Sequence, residues 1–254
     1  MKNLTGKIAL VTGASRGIGS AIAKRLAEEG ALVAVHYGSN KDAANITVKE
    51  IVSAGGNAFA IQANLHSLDG VHKLIAQLDE DLHNRTGAAA FDILVNNAGI
   101  GTQGTIEDTT ENIFDEIIDI NLKAPFFLIQ QAFPRLREKG RIINISSAEV
   151  RIGLTGSICY GLSKGALNTM TLPLAKHLGP RDITVNTIMP GYTKTDINIK
   201  LLDDLEIRKF ATESSVFNRL GQVEDVADAA AFLASSDSRW ITGQILDVSG
   251  GFRL

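Results

Sequence analysis

Tyr160 and Lys164 stand at positions i and i+4 in Tyr160-Gly-Leu-Ser-Lys164. At roughly 3.6 residues per helical turn, the phenol and the ammonium project from one face. The chemistry open to such a pair is proton transfer. A free tyrosine titrates near about pH 10, too high for a good base near neutrality. A neighbouring lysine cation favours the phenolate. Lowering the phenol by about three units takes about 4 kcal/mol, within reach of two nearby positive charges in a partly dry cleft. The pair alone proves little, because Tyr and Lys at this spacing are ordinary on helix surfaces. Ser147 strengthens it, since it closes the apolar run Arg141–Ser146 just before the Tyr160 helix. That position lies at the carboxyl edge where ligands bind in α/β sheets.

The second stretch with chemical potential is Val11-Thr-Gly-Ala-Ser-Arg-Gly-Ile-Gly19. Gly13-x-Ser15-x-Gly17 fits a serine nucleophile elbow, which needs a histidine base later in the chain. His36 sits at a strand end, His66, His72 and His83 fall before or within one amphipathic helix, and His177 lies near a helix C-terminus. None serves an elbow on the first strand, which also lacks an earlier strand loop to complete an oxyanion hole. Gly13, Gly17 and Gly19 instead form a turn between a strand and a helix, where helix amides face a dinucleotide pyrophosphate. An NAD site places Asp or Glu about 20 residues on, at the end of the second strand. Here that end reads His36-Tyr37-Gly38-Ser39-Asn40-Lys41, with no acid before Asp42. Arg16, Ser39, Asn40 and Lys41 are all able to donate to a 2′-phosphate, so NADP(H) is the expected cofactor and NADH the less favoured one. Ser39-Asn40 also suits a helix cap. The oxidised nicotinamide of such a cofactor would be the second positive charge near Tyr160.

These groups need a scaffold, and the sequence alternates short apolar runs with helical patterns. Strands are expected at Lys7–Thr12, Leu32–Tyr37, Ala58–Gln62, Phe91–Asn96, Arg141–Ser146, Ile183–Ile188 and Gln244–Val248. Helices are expected at Ile18–Glu29, Asp42–Ala54, Leu68–His83, Glu111–Glu138 with a kink at Pro125, Tyr160–Leu178 and Val223–Ala234. The alternation argues for one parallel sheet covered on both faces. No linker divides the 254 residues, so one domain over 1–254 is expected. The net charge of −3 gives no reason to expect nucleic acid or an anionic membrane as partner. A single cysteine, Cys159, excludes an intrachain disulfide. With no membrane-length apolar run and no signal-like segment, the expected location is the cytoplasm.

Thr12-Gly-Ala-Ser-Arg-Gly-Ile-Gly19, Asn96-Asn-Ala-Gly99, Asn121, Ser147, Tyr160-x-x-x-Lys164 and Pro190-Gly191 occur in one order along the chain. With this set the sequence resembles the short-chain dehydrogenase/reductase family from Lys7 to Gly251. Asn121-Leu-Lys-Ala-Pro125 and Asp247-Val-Ser-Gly-Gly251 are similar to its 3-oxoacyl-[acyl-carrier-protein] reductase-like branch. The resemblance implies a single-domain Rossmann-type, doubly wound parallel sheet of about seven strands. It implies that Tyr160 exchanges a proton with the substrate oxygen, that Ser147 rather than Ser146 bonds that oxygen, and that Lys164 holds the nicotinamide ribose. Asn121 would hold a water linking Lys164 to solvent; its place near Pro125 fits a helix with locally disturbed hydrogen bonding. Gly13, Ser15, Arg16, Gly17, Ile18 and Gly19 would line the phosphates and adenosine ribose, with Tyr37, Ser39 and Asn40 beyond them. Asn97, Ala98 and Gly99 would border adenosine and ribose, and Pro190, Gly191, Thr193 and Thr195 the carboxamide and pyrophosphate. Asn64, beside Leu65, stands where the family usually has Asp against adenine; an amide keeps an acceptor and gains a donor.

The same likeness implies a mobile lid over about 192–220, for which Ile197, Ile199, Leu201, Leu202 and Leu205 suggest an apolar inner face. Glu149 and Tyr192 are candidates to border the substrate. A homotetramer is implied, with the Tyr160 helix and the last strand at interfaces. The expected activity is reversible NADPH-dependent reduction of a ketone or aldehyde, with a carrier-linked 3-oxoacyl thioester among the candidate substrates. An NAD-dependent alcohol or sugar dehydrogenase and a non-catalytic nucleotide sensor are the rival readings.

Overall fold

Seven short runs rich in Val, Ile and Leu form one sheet in the computed structural model, which describes residues 3–101, 104–196 and 198–253, with backbone alone at 200 and 201. In chain order, β1 (Ile8–Val11) leads to α1 (Gly17–Glu28), β2 (Leu32–Tyr37) to α2 (Lys41–Ser53), and β3 (Asn57–Gln62) to α3 (Leu68–Thr86). After β4 (Phe91–Asn96) come α4 (Glu111–Ile118), a π-helical turn at Asp119–Lys123, and α5 (Ala124–Ala132). The second half runs through β5 (Leu136–Ile145), a 3-10 turn at Ala148–Arg151, α6 (Ile158–Leu178) and β6 (Thr184–Pro190). It closes with α7 (Ile199–Leu202), α8 (Leu205–Glu213), α9 (Val223–Ala234) and β7 (Ile245–Val248).

The strand order is β3-β2-β1-β4-β5-β6-β7, with every neighbouring pair parallel. This is the doubly wound arrangement, and its order reverses between β1 and β4. Side chains along a strand alternate between faces, which explains two separate cores. Ala9 and Val11 of β1 pack with Ile22 and Leu26 of α1 and Val226 and Ala230 of α9. Ile8 and Leu10 pack instead with Leu74 and Leu78 of α3 and Leu128 of α5. Removing one such leucine to alanine costs about 2–5 kcal/mol. Among the described residues no helix is long and apolar enough to cross a membrane.

Element ends differ from expectation by a few residues, as fraying termini do. One difference is larger. The expected helix Glu111–Glu138 stops at Ala132, and Leu136–Glu138 belong to β5, where Leu136 pairs with Phe91. Pro134 supplies the reason, since it lacks the N–H that would continue the helix. Pro125 acts differently, as the expected kink is the π turn at Asp119–Lys123, with Pro125 in the first turn of α5. Pro125 offers no N–H to the carbonyl of Asn121, so the ladder loosens at that residue.

Candidate functional site

The loops after β1 to β6 open on the same sheet edge and line a continuous cleft of about 1870 Å³. At its centre is the turn after β1. Gly13 and Gly17 have left-handed backbones, with φ of +62° and +56°, a region open to glycine at little cost. A Cβ on Gly19 would lie 2.3 Å from the Gly13 carbonyl oxygen and 2.4 Å from Asn97 Nδ2, so only glycine fits. Asn97 holds this packing, its Nδ2 donating to the carbonyls of Thr12 (2.9 Å) and Gly13 (3.1 Å). Thr12 Oγ1 accepts from the N–H groups of Asn97 and Ala98, both at 3.0 Å. Arg16 is the N-cap of α1, and no side chain caps the helix; its first turn carries no acid. Those free amides, at the positive end of the helix dipole, are suited to an anion. The cradle therefore fits a dinucleotide pyrophosphate.

A residue that sequence reading passed over as a strand end organises this turn. His36 is 2% exposed; its Nδ1 accepts from Gly13 N at 3.1 Å and its Nε2–H donates to the Ala63 carbonyl at 3.1 Å. Burial pushes the imidazole down to about 4, so it is neutral. Its backbone carbonyl also accepts from Ala14 N at 2.8 Å. One side chain thus ties the β1 turn to the loop after β3. The sequence carries no signal of this role beyond a histidine at the end of β2.

At the adenosine end the cleft is lined by Arg16, Tyr37, Ser39, Asn40, Asn64 and Leu65. Arg16 and Lys41 are exposed, and neither forms an ion pair among the described residues. Asn40 does cap α2, accepting from Ala43 N at 3.0 Å, which leaves its amide N–H groups for a ligand. Asn64 Oδ1 accepts from His66 N at 3.1 Å, so its free donor is the group left for adenine. No carboxylate stands at the end of β2.

The other end holds the proton-transfer candidates. Asn121 is fully buried; its Oδ1 accepts from Ile100 N (2.8 Å) while Nδ2 donates to Ile100 O (2.8 Å) and Ser163 Oγ (3.1 Å). Gly99 is pressed beside it, with a Cβ there 3.1 Å from both Asn121 Oδ1 and Lys164 Nζ. Lys164 Nζ donates to the Ile145 carbonyl at 3.0 Å and lies 5.7 Å from the Tyr160 ring centre. Ser146 Oγ is spent on the Lys164 carbonyl at 3.0 Å, whereas Ser147, at the N-cap of the 3-10 turn, lines the cleft near the phenol, its Oγ accepting from Glu149 N at 3.2 Å. Ser147 is thus the serine whose hydroxyl hydrogen is left to face the cleft.

The protein alone, without the second positive charge that a nicotinamide would add, does not lower the phenol. Burial raises Tyr160 to about 12, opposed by the Ser147 hydrogen bond and reinforced by Glu149. Burial lowers Lys164 to about 8. In the protein alone, desolvation outweighs the help that the lysine was expected to give, because Nζ is aimed at a backbone carbonyl. Tyr160 is therefore a neutral phenol, an acid rather than a base.

Pro190, Gly191, Thr193 and Thr195 line the wall of the cleft after β6, together with Tyr192 and Phe252, and Thr195 stands against the Gly17 turn. A Cβ on Gly191 would meet Ser249 O at 2.8 Å. The lid segment differs from expectation: Ile199 (46%) and Leu205 (77%) are exposed and only Leu202 is buried, while Ile197 and the Leu201 side chain lie outside the described residues. Its packing comes instead from Tyr192, whose ring meets Phe210 and Phe252 at 6.2 and 5.6 Å.

A family model described as Enoyl-(Acyl carrier protein) reductase matches residues 13–253. The chain is 40% identical to 3-oxoacyl-[acyl-carrier-protein] reductase FabG of Staphylococcus aureus, covering 96% of this chain and 97% of that one. It is 36% identical to a solved short-chain dehydrogenase/reductase from Serratia marcescens, with a TM-score of 0.91 over 99% and 100% of the two chains. The chain belongs to the short-chain dehydrogenase/reductase family, in its 3-oxoacyl reductase-like branch. Its members' solved structures include angucycline C-6 ketoreductase LanV with bound NADP, 47% identical at a TM-score of 0.95 over 99% and 97% of the chains. The protein is accordingly a short-chain oxidoreductase.

Proposed function

We propose that the chain is an NADPH-dependent carbonyl reductase that converts a ketone to an alcohol, with aldehydes as further substrates. The observation that carries this reading is a cleft that holds Ser147, Tyr160 and Lys164 at one end and Arg16 at the other, where β2 ends without a carboxylate. The uncapped N-terminus of α1 would hold the pyrophosphate, Arg16 and Ser39 the 2′-phosphate, and Lys164 the nicotinamide ribose. When bound, NADPH supplies the hydride for the carbonyl carbon.

Ser147 donates a hydrogen bond to the carbonyl oxygen and orients it. Tyr160 gives its proton to that oxygen as negative charge develops there, which a phenol held at about 12 does only when the acceptor becomes strongly basic. Lys164, at about 8, exchanges protons near neutral pH and restores the phenol. Asn121 holds the loop after β4 against α6 and, with its loosened carbonyl, anchors the water that joins Lys164 to solvent. The NADP-bound LanV structure and the FabG likeness support both the cofactor and the ketone.

Exposed apolar side chains on α5 and α6 (Phe126, Ile158, Leu162, Leu172) and on β7 (Ile245, Leu246) support a homotetramer. A lid over about 192–220 would close the substrate end. Initial rates with NADPH against NADH on a panel of ketones, aldehydes and 3-oxoacyl thioesters test the reading. We expect NADPH to be preferred in kcat/KM by at least about tenfold, the worth of one charge-assisted contact. A preference for NADH would overturn the cofactor assignment.

A further inference from the structure

Glu149 lies in the 3-10 turn that begins at Ser147, and it lines the reactive end of the cleft. Its charge bears on both Tyr160 and Tyr192. Oε1 accepts from the Ser157 hydroxyl, and the Glu149 N–H donates to Ser147 Oγ at 3.2 Å. The nearby cation Arg151 is committed to Asp247. Among the described residues no ion pair or hydrogen bond engages Oε2. A carboxylate has about four acceptor positions, so an oxygen of Glu149 that faces the cleft is able to accept from a donor on a ligand. Burial raises the Glu149 carboxyl, with Ser157 acting against it. The surrounding wall is apolar and aromatic: Ile152, Leu154, Tyr192 and Phe252.

We propose that Glu149 is a specificity-determining residue that accepts a hydrogen bond from a hydroxyl on the substrate. It selects hydroxylated cyclic or aromatic ketones over ketones without a donor, and it disfavours anionic ones. The apolar wall takes the ring, and the free oxygen of Glu149 takes the hydroxyl while the ketone sits on Ser147 and Tyr160. This deepens, and rests on, the carbonyl-reductase reading.

The test compares wild type and Glu149→Gln, with NADPH, on monohydroxylated 1-tetralones, on 1-tetralone, and on an acetoacetyl N-acetylcysteamine thioester. The substitution is isosteric, and a thermal melt checks that it folds. In wild type at least one hydroxytetralone should exceed 1-tetralone in kcat/KM by about tenfold, the worth of a hydrogen bond to a charged group. That ratio should fall to within about threefold in Glu149→Gln, mainly through KM, because an amide oxygen accepts more weakly than a carboxylate. A matching readout is equilibrium binding of 2-naphthol against 2-methoxynaphthalene, which needs no turnover. Equal reduction of the tetralones, a preference for the thioester, or an unchanged ratio in Glu149→Gln would overturn the Glu149 assignment while leaving the reductase reading intact. If no ketone is reduced, that reading fails. Glu149-dependent preference for 2-naphthol would then still support the hydroxyl site, and equal binding would overturn it.

Discussion

Acid should loosen this protein through His36, and the effect can be isolated. The imidazole is neutral in the folded chain at a value near 4, against 6.5 for the free group. A depressed value means that the unfolded chain binds a proton the folded chain refuses, so stability present above pH ~6.5 is lost as pH falls through about 4. The linkage integral gives a loss of about 2 kcal/mol by pH 5 and about 3 kcal/mol by pH 4. Protonation has a local cost as well, because Nδ1 then carries a hydrogen and can no longer accept from Gly13 N. His36→Asn removes the titration while keeping an acceptor near Nδ1. Urea unfolding of both proteins at pH 7 and pH 5 measures the difference, and carboxylate titrations common to both cancel. The variant should lose less stability than wild type over this interval by about 2 kcal/mol. NADPH affinity measured alongside should fall with acid more steeply in wild type than in His36→Asn. Parallel acid sensitivity in the two proteins would refute the assignment of a buried, neutral His36.

Two further predictions follow from the same geometry. Gly19→Ala drives a Cβ to 2.3 Å from the Gly13 carbonyl, so NADPH binding should weaken by at least about tenfold, the cost of an overpacked loop. Gly17→Ala meets nothing closer than 3.5 Å and should lose only about 1–2 kcal/mol of stability to its left-handed backbone; calorimetric titration and thermal melts of the pair check the contrast. Lys164 has a folded value near 8 against 10.5 unfolded, so its burial penalty operates below that window and is relieved as pH rises. Relative to Lys164→Met, wild type should gain up to about 3 kcal/mol between pH 7 and 10 in urea unfolding; a flat difference would contradict it.

The layout of the site was legible because each motif closes a strand or opens a helix, and strand-helix alternation places all such junctions on one edge. The glycine turn, Ser147, and the Tyr160–Lys164 pair are therefore where spacing puts them. What spacing hides is direction and burial. The pull toward phenolate expected from Lys164 and a nicotinamide together starts from a phenol that burial has raised, which spacing does not show. His36 looked inert because its role depends on Gly13 and Ala63, which only pairing of β1, β2 and β3 brings to it. The lid hydrophobics were misjudged for a related reason. The Phe210 and Phe252 rings against Tyr192 come from two segments far apart in sequence. Helix periodicity overran Pro134 because the run to Glu138 stays amphipathic, while pairing of Leu136 with Phe91 decides for a strand.

The central claim is that Tyr160 delivers the proton in an NADPH-driven ketone reduction. Single-turnover reduction of a ketone accepted by wild type, followed by NADPH fluorescence with alcohol product quantified, tests it with Tyr160→Phe. Loss of the hydroxyl should slow the turnover by at least about a hundredfold while NADPH still binds. Alcohol formed by the phenylalanine variant at the wild-type rate would contradict the account.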